Sequence, residues 1–391
     1  MKNINFAVIG AASRGGLARL AHQPSRGLVL KAAVDIEEDS FRNFKEWAEK
    51  VGHKDYYLSE NYHQVLQDKD IHAVFITAPD YLHEEMAVDS LMAGKAVYLE
   101  KPMAITIEGC DRILDAARKS GSKVFVGHNM RYMPFVLKMK EIIDNDIIGK
   151  VQAVWCRHFI SYGGDAYFKD WHSERKYSNG LLLQKGAHDI DVIHWLSGGY
   201  SRKVTAMGKL SVYQNCGRRD PSEKGVATSW SNENWPPLSQ NKLSPIIDVE
   251  DHNMMLMQLD NGVQCSYTQC HYTPDSSRNY TFIGTKGRLE NIDSKNGSAI
   301  HVKTTRNADF SATPDIVYTF NNSAGGHGGA DPKIVEGFIQ YILNGVTPSV
   351  SPIDARNSVA AGVCATESLR SEMGMKVVPQ ISSEILAYFK K

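Results

Sequence analysis

No run of about 18 uninterrupted apolar residues occurs, so nothing in the chain has the pattern of a membrane-spanning helix. Neither sign of charge is in excess. The 44 Lys and Arg residues stand against 44 Asp and Glu, which gives no support for a nucleic-acid partner. No C-x-x-C pair occurs among Cys110, Cys156, Cys216, Cys265, Cys270 and Cys364, several of which lie inside apolar runs. They read as small core hydrophobes of a reducing compartment, not as a disulfide frame or zinc site. The histidines show no H-E-x-x-H spacing, so no metal is expected. The first apolar run, Phe6–Ile9, is too short for the core of a secretory signal, and the expected address is the cytoplasm. Repeats and low-complexity tracts are also lacking.

What is present is 391 residues with 42% hydrophobic content, enough for one large or two ordinary domains. Strand-like and helix-like segments alternate through the first third. "NFAVIGA", "LVLKAAVDI", "IHAVFITAP", "KAVYLEKP" and "SKVFVGH" are predicted strands. Between them lie predicted helices, including "SFRNFKEWAEKVG" and a stretch from about Ile107 to Ser120. Such alternation predicts a doubly wound parallel sheet. After His128 the pattern changes. A helix is predicted over Pro134–Ile148 and another in "KGAHDIDVIHWL". Strands then follow with few helices between them, which predicts a large, mostly antiparallel open sheet. Asp260-Asn261-Gly262 is a hairpin signal. Two helices are predicted to close the chain, near Pro332–Leu343 and Ala355–Met373. The expected domains are 1–128, α/β, and 129–391, α+β. An irregular stretch, Cys216–Pro245, holds Trp230 and Trp235 and is expected to be an ordered loop.

The first predicted strand runs into "GAASRGG". Matched to G-x-G-x-x-G, this offers Gly10, Ala12 and Gly15, with Ser13 and Arg14 between them. A tight strand-to-helix turn of small residues presents backbone N–H groups to a dinucleotide pyrophosphate. Asp35 ends the second strand 20 residues after Gly15, where a carboxylate accepts hydrogen bonds from ribose hydroxyls and repels a 2′-phosphate. The expected cofactor is therefore NAD. Arg14 and Arg42 leave NADP open.

"VYLEKPMAI" puts Lys101 just past the end of a parallel strand, where ligands bind. A partly desolvated ammonium there can stabilise an alkoxide. With "TAPDYLHEEMA", "VGHNMRYMPF", "KGAHDIDVIHWL" and "CHYTPDSSRNYTFIGTKGRLE" in this order, the chain closely resembles the Gfo/Idh/MocA family of nicotinamide-dependent oxidoreductases. The resemblance spans about Asn5 to Arg370. It implies a Rossmann domain, a C-terminal domain whose open sheet mediates homo-oligomerisation, and hydride transfer at a sugar or cyclitol carbinol. It also implies that Pro79 and Glu100 flank the nicotinamide and that His188 is the general base beside Lys101.

The chain departs from the family pattern at one point. Family members typically carry an aspartate four residues before the histidine; here that residue is Gln184, followed by Lys185. Lys101, Lys185 and His188 are expected to line one pocket. Tyr162, His172 and Arg175 lie where family members contact substrate. His271 and Arg278 are open to a pocket role or to a core or hairpin role, and His327 in "GGHGGADP" to closure over substrate or a plain loop. Asp191 is open to an orienting role or a solvated face, while Asp189 and His194 read as structural. Two rival functions stand beside the dehydrogenase: a redox-neutral, NAD-dependent glycosidase acting by transient oxidation and elimination, and a non-catalytic dinucleotide-binding regulator.

Overall fold

A computed structural model describes residues 3–228, 230–295 and 297–390. Ser229, in the irregular stretch, and the ends of the two expected domains (residues 1, 2 and 391) lie outside them. The chain forms two compact units, neither continuous in sequence. One takes in Met1–Tyr132, Gly325–Arg356 and Ile381–Lys391; the other takes in Met133–Ala324 and Asn357–Gln380.

The first unit is built on six strands: β1 (Ile4–Ile9), β2 (Leu28–Val34), β3 (Tyr57–Ser59), β4 (Ala73–Ile76), β5 (Ala96–Leu99) and β6 (Val124–Val126). All pairs are parallel, in the order β3-β2-β1-β4-β5-β6. The order reverses between β1 and β4, which places a ligand crevice at the carboxyl ends of those strands. Nearly every residue of β1 and β4 is buried, as a sheet covered on both faces requires. Helix Glu38–Lys50 turns Phe44 and Ala48 inward. Helix Ile107–Ser120 starts at Thr106, whose hydroxyl accepts a hydrogen bond from the Gly109 amide at 3.0 Å, and stops at Gly121 with φ 71°. After β1, Ser13–Gly15 forms a 3-10 turn and Gly16–Leu20 is α-helical.

Part of this unit's core comes from the far end of the chain. Helix Gly326–Asn344 sets Phe338 among Phe6, Phe75, Tyr98 and Phe125, with ring centroids 6.4, 5.3, 5.7 and 5.7 Å away. A further helix, Ser383–Phe389, corrects the expectation that two helices close the chain. Its seven residues are too few to show a clear helical period.

The second unit holds nine strands: β7 (Val151–Phe159), β8 (Ser201–Lys209), β9 (His252–Leu259), β10 (Gln264–Cys270), β11 (Ser277–Gly284), β12 (Arg288–Asn291), β13 (Ala299–Lys303), β14 (Ile316–Thr319) and β15 (Lys376–Val377). Their order is β14-β13-β12-β11-β7-β10-β9-β8-β15. Neighbours are antiparallel except β7 and β10, a parallel pair at the centre. The Asp260-Asn261-Gly262 hairpin is present, with Gly262 at φ 90° and the Leu259 amide bonded to the Val263 carbonyl at 2.9 Å. Helix Gly186–Ser197 packs on β7 and β10. Alternation along the strands leaves Trp155, Phe159, Met207, Met254 and Leu256 exposed.

Phe338→Ala removes the ring at the centre of the first unit's aromatic cluster. The expected loss is about 3–5 kcal/mol, measured by urea denaturation against the unaltered protein.

Candidate active site

In the first unit the candidate residues follow the carboxyl ends of β1, β2, β4 and β5. Gly10 has φ 88°, and a Cβ there would lie 2.6 Å from the Ala78 amide nitrogen. A Cβ on Gly15 would lie 2.5 Å from the Gly10 carbonyl oxygen. Both positions therefore require glycine, and the bare turn leads directly into a helix N-terminus. Ala12 and Ser13 lie in the same turn. One Asp35 carboxylate oxygen accepts from the Ala12 amide at 3.0 Å; the other accepts from Ile36 and Glu37 at 2.8 and 3.1 Å. The turn and this acid, 23 residues apart, are thereby held together. These features fit a dinucleotide, with the glycines for close approach and the carboxylate for the ribose.

Arg14 is not a free cation of this turn. Its Nε donates to Glu100 at 2.8 Å, and its two terminal nitrogens donate to both oxygens of Asp331 at 2.8 and 3.0 Å. The His327 Nδ1 lies 3.0 Å from the same carboxylate. Burial alone would raise the Asp331 carboxyl, but hydrogen bonds from His327 and Arg14 carry it well below the ordinary carboxylate range. Glu100 also accepts from the backbone amide of Lys101 at 3.2 Å, so the turn after β1 is tied to the end of β5. Lys101 is partly buried and forms a cis bond to Pro102. Pro79 opens the short turn after β4. His83, not singled out from the sequence, is buried with Nε2 2.9 Å from the Ala78 carbonyl and Nδ1 2.7 Å from the Pro102 carbonyl. It braces the loops that follow β4 and β5. Its signal was a histidine at a helix start directly after "TAPDYL".

In the second unit a polar cluster forms around Asp189, which is wholly buried in the first turn of helix Gly186–Ser197. Tyr280 donates to one of its oxygens and Arg278 pairs with that oxygen at 2.8 Å. Tyr267 donates to the other at 3.0 Å, where His158 lies 3.1 Å away. Burial would raise this carboxyl, but Arg278 and His158 hold it well below its usual range. Burial and Arg278 push His158 down to about 3 despite the carboxylate, so the ring is neutral. His158, Tyr267 and Tyr280 were not singled out from the sequence. Their signal was a polar side chain on the same strand face as buried apolar residues such as Val154, Cys265 and Phe282.

Lys185 immediately precedes this helix. Its ammonium lies 5.6 and 5.5 Å from the ring centroids of Tyr162 and Tyr167, within hydrogen-bonding reach of both phenols. The Lys185 charge lowers the Tyr162 pKa, with Arg278 assisting against burial. His271 is wholly buried, edge-on to Tyr167 at 5.4 Å. Burial, with His158 and Lys185, holds its pKa well below the ordinary value. The second unit thus brings together Tyr162, Lys185, His271 and Arg278. His172 reaches the group's edge, 5.3 Å from Tyr167, while stacked on Trp171 at 3.7 Å and bonded to Asp170.

Arg175 is held elsewhere, by Glu250 at 3.0 Å. His188 is buried on the first turn of the Lys185 helix, and Gln184 is buried at the end of the preceding one. Asp191 is 1% exposed, which removes the solvated-face reading. His194 is structural, 2.8 Å from the Ser201 hydroxyl. Residues 216–245 are anchored where Thr228 and Asn234 donate to Asp165, while Trp230 and Trp235 stay exposed. Among the described residues no three His, Cys, Asp or Glu side chains are grouped to hold a metal ion, and no helix is long and apolar enough to cross a membrane.

Residues 4–128 match the family profile described as oxidoreductase family, NAD-binding Rossmann fold (GFO_IDH_MocA), and residues 140–377 match the profile of its C-terminal alpha/beta domain. YteT of Bacillus subtilis strain 168, named as an oxidoreductase, is 27% identical over 379 residues, 86% of this chain and 88% of that one. Inositol 2-dehydrogenase of Klebsiella pneumoniae strain MGH 78578 is 32% identical over 204 residues, 52% of this chain and 57% of that one. Levoglucosan dehydrogenase, solved in complex with NADH and L-sorbose, superposes with a TM-score of 0.76 at 21% identity, covering 97% of this chain and 100% of that one. That last likeness is one of fold. Turn, sheet order and profile together define an oxidoreductase with an NAD-binding Rossmann domain. The chain belongs to the Gfo/Idh/MocA oxidoreductase family.

The low Asp331 pKa fixes a sign. The carboxylate's stabilisation is fully present above the unfolded value, about 3.9, and is lost as pH falls through the lower folded value. Asp331→Asn is expected to cost about 1–3 kcal/mol at neutral pH. In denaturation melts, the gap to the unaltered protein should narrow as pH falls below about 4.

Proposed function

We propose that this protein oxidises a secondary alcohol of a sugar, glycoside or cyclitol, with NAD as the hydride acceptor. The observation that carries the reading is the joint presence of Lys101 after β5 and His188 in the first turn of its helix, in a chain matching the family along most of its length. Bound NAD supplies the electrophilic ring that takes the hydride. Lys101 hydrogen-bonds the carbinol oxygen and stabilises its developing negative charge. His188 accepts the hydroxyl proton; an imidazole titrates near working pH. Gly10, Ala12, Ser13 and Gly15 receive the pyrophosphate, and Asp35 the adenosine ribose. Arg14 acts by holding Glu100 and Asp331, and Pro79 and Glu100 frame the nicotinamide side. Lys185, Tyr162, His172 and His271 bind substrate oxygens. Arg175, paired with Glu250, supports the loop they rise from.

One named relative, inositol 2-dehydrogenase, supports a polyhydroxylated substrate. The Asp35 carboxylate supports NAD over NADP by repelling a 2′-phosphate. A cytoplasmic setting suits six free cysteines, five of them buried.

Incubating the protein with NAD and a panel of sugars, glycosides and cyclitols should yield NADH with at least one of them. His188→Ala should lower kcat about 10²–10⁴-fold while leaving NADH binding intact. Silence across the panel at high enzyme concentration would overturn the reading.

We also propose self-association through the exposed face of the second sheet, where Trp155, Phe159, Met207, Met254 and Leu256 lie open to solvent. Leu256→Glu, at a position 58% exposed, should shift the species seen by light scattering toward the monomer.

A further inference from the structure

Lys185, Arg278 and Asp189 share one end of the second unit's sheet: two cations and one carboxylate. Arg278 and Asp189 pair with each other at 2.8 Å. The histidines beside them add no charge at neutral pH, because burial holds His158 down to about 3 and His271 well below its ordinary value. Lys185 is the remainder. Among the described residues no carboxylate ion-pairs with its ammonium, whose strongest partners are the phenols of Tyr162 and Tyr167.

Three further carboxylates of this unit are committed. Lys169 lies 3.1 Å from Asp165, and His172 lies 2.6 Å from Asp170. Asp251 accepts from the amides of Ser211, Val212 and Tyr213. An ammonium desolvated without a counter-charge costs several kcal/mol. Beside it, neither ring nitrogen of the wholly buried His271 meets a hydrogen-bond partner among the described residues. Buried polar groups in native proteins are nearly always satisfied. Charge and hydrogen-bonding capacity therefore call for the same thing, an acceptor carrying one negative charge.

We propose that the substrate is a carbohydrate bearing a carboxylate, of the hexuronate kind, and that Lys185, Tyr162 and His271 receive that carboxylate. The inference rests on the dehydrogenase reading above and names its substrate class. A phosphate is the poorer fit. At neutral pH it carries about 1.5–2 negative charges, which would turn a deficit of one into an excess. The carboxylate is a spectator in the reaction: the C–H of a ring carbinol gives its hydride to NAD, and the O–H proton passes to His188 and on to water. The phenol of Tyr162 is the internal competitor for the same charge. Lys185 and Arg278 act on it as cations, Asp189 as an anion, and Tyr167 as a neighbouring phenol.

The test uses the whole protein with D-glucuronate and D-galacturonate against D-glucose and D-galactose. NADH formation gives turnover, and calorimetry on the NADH-loaded protein gives binding. A uronate should exceed its neutral parent in kcat/KM by about tenfold or more, the scale of one charged hydrogen bond. Lys185→Met should lower that ratio by about tenfold or more, mainly through the KM of the acid, and Lys185→Arg should preserve it. NADH binding to each variant reports its folding.

Wild-type turnover of a neutral sugar as efficient as that of its acid overturns the inference and leaves the dehydrogenase reading standing. A uronate that binds tightly without being oxidised does the reverse. Failure of both uronates to bind overturns the inference. So does a tyrosinate absorbance near neutral pH that Tyr162→Phe abolishes, because Lys185 would then have its counter-charge within the protein.

Discussion

A carboxylate with no solvent exposure organises the second unit. Taking Asp189 out of water costs several kcal/mol unless its lone pairs are filled and its charge is met. The cost is offset by four side chains from three strands: His158 of β7, Tyr267 of β10, and Arg278 and Tyr280 of β11. Each stands at an inward position of its strand. The first turn of helix Gly186–Ser197 is thereby fixed against the middle of the sheet, and Lys185 and His188, which precede Asp189 by four residues and by one, inherit that fix. A merely apolar helix start could slide or rotate by a few degrees at small cost. A satisfied buried charge cannot, because displacing it leaves several polar groups unpaired at once.

The first unit uses the same device in a different place. Arg14 sits in the glycine turn, where a bare backbone would otherwise be loosely held. Its guanidinium spans Glu100, at the end of β5, and Asp331, on a segment more than three hundred residues further along the chain. Its pKa is raised: burial alone would lower it, and the two carboxylates more than reverse that. The planar fork matches the bidentate carboxylate and sets direction as well as charge. One consequence concerns the cofactor. A guanidinium already shared by two acids offers little to a further phosphate, so the latitude for NADP that an arginine in this turn suggests is reduced.

The first sheet's main strands were legible because each is a short apolar run closed by a turn signal. The glycine turn and Asp35 were legible for the same reason. β3 was not: Tyr57-Leu58-Ser59 is three residues long and only half buried, too little for any period to show. The return of helix Gly326–Asn344 to the first sheet was equally hidden. Its apolar face predicts burial, but periodicity carries no information about which surface receives it. The parallel pairing of β7 with β10 was hidden likewise, since a strand's own alternation is the same for either partner direction. Around Asp189, Lys185 and His188 stand in a motif legible in the sequence, whereas His158, Tyr267 and Tyr280 were not singled out. Each is a buried polar position on a strand, and only the meeting of three strands on Asp189 gives them a common purpose.

The departure at Gln184 and Lys185 gains meaning from that meeting. An aspartate at position 184, as the family resemblance leads one to expect, would bring a negative charge to the start of the helix. Glutamine carries no such charge and the adjacent Lys185 is a cation, so the start of this helix is more positive than the family aspartate would make it. In a medium of low effective dielectric, a change of that sign alters every nearby equilibrium. It favours anions over neutral groups and phenolate over phenol, and it opposes protonation of His158 and His271. The Asp189–Arg278 pair is internally neutral and does not cancel it. The start of this helix, with Lys185 and without the aspartate, is therefore a more positive environment than that pattern would give.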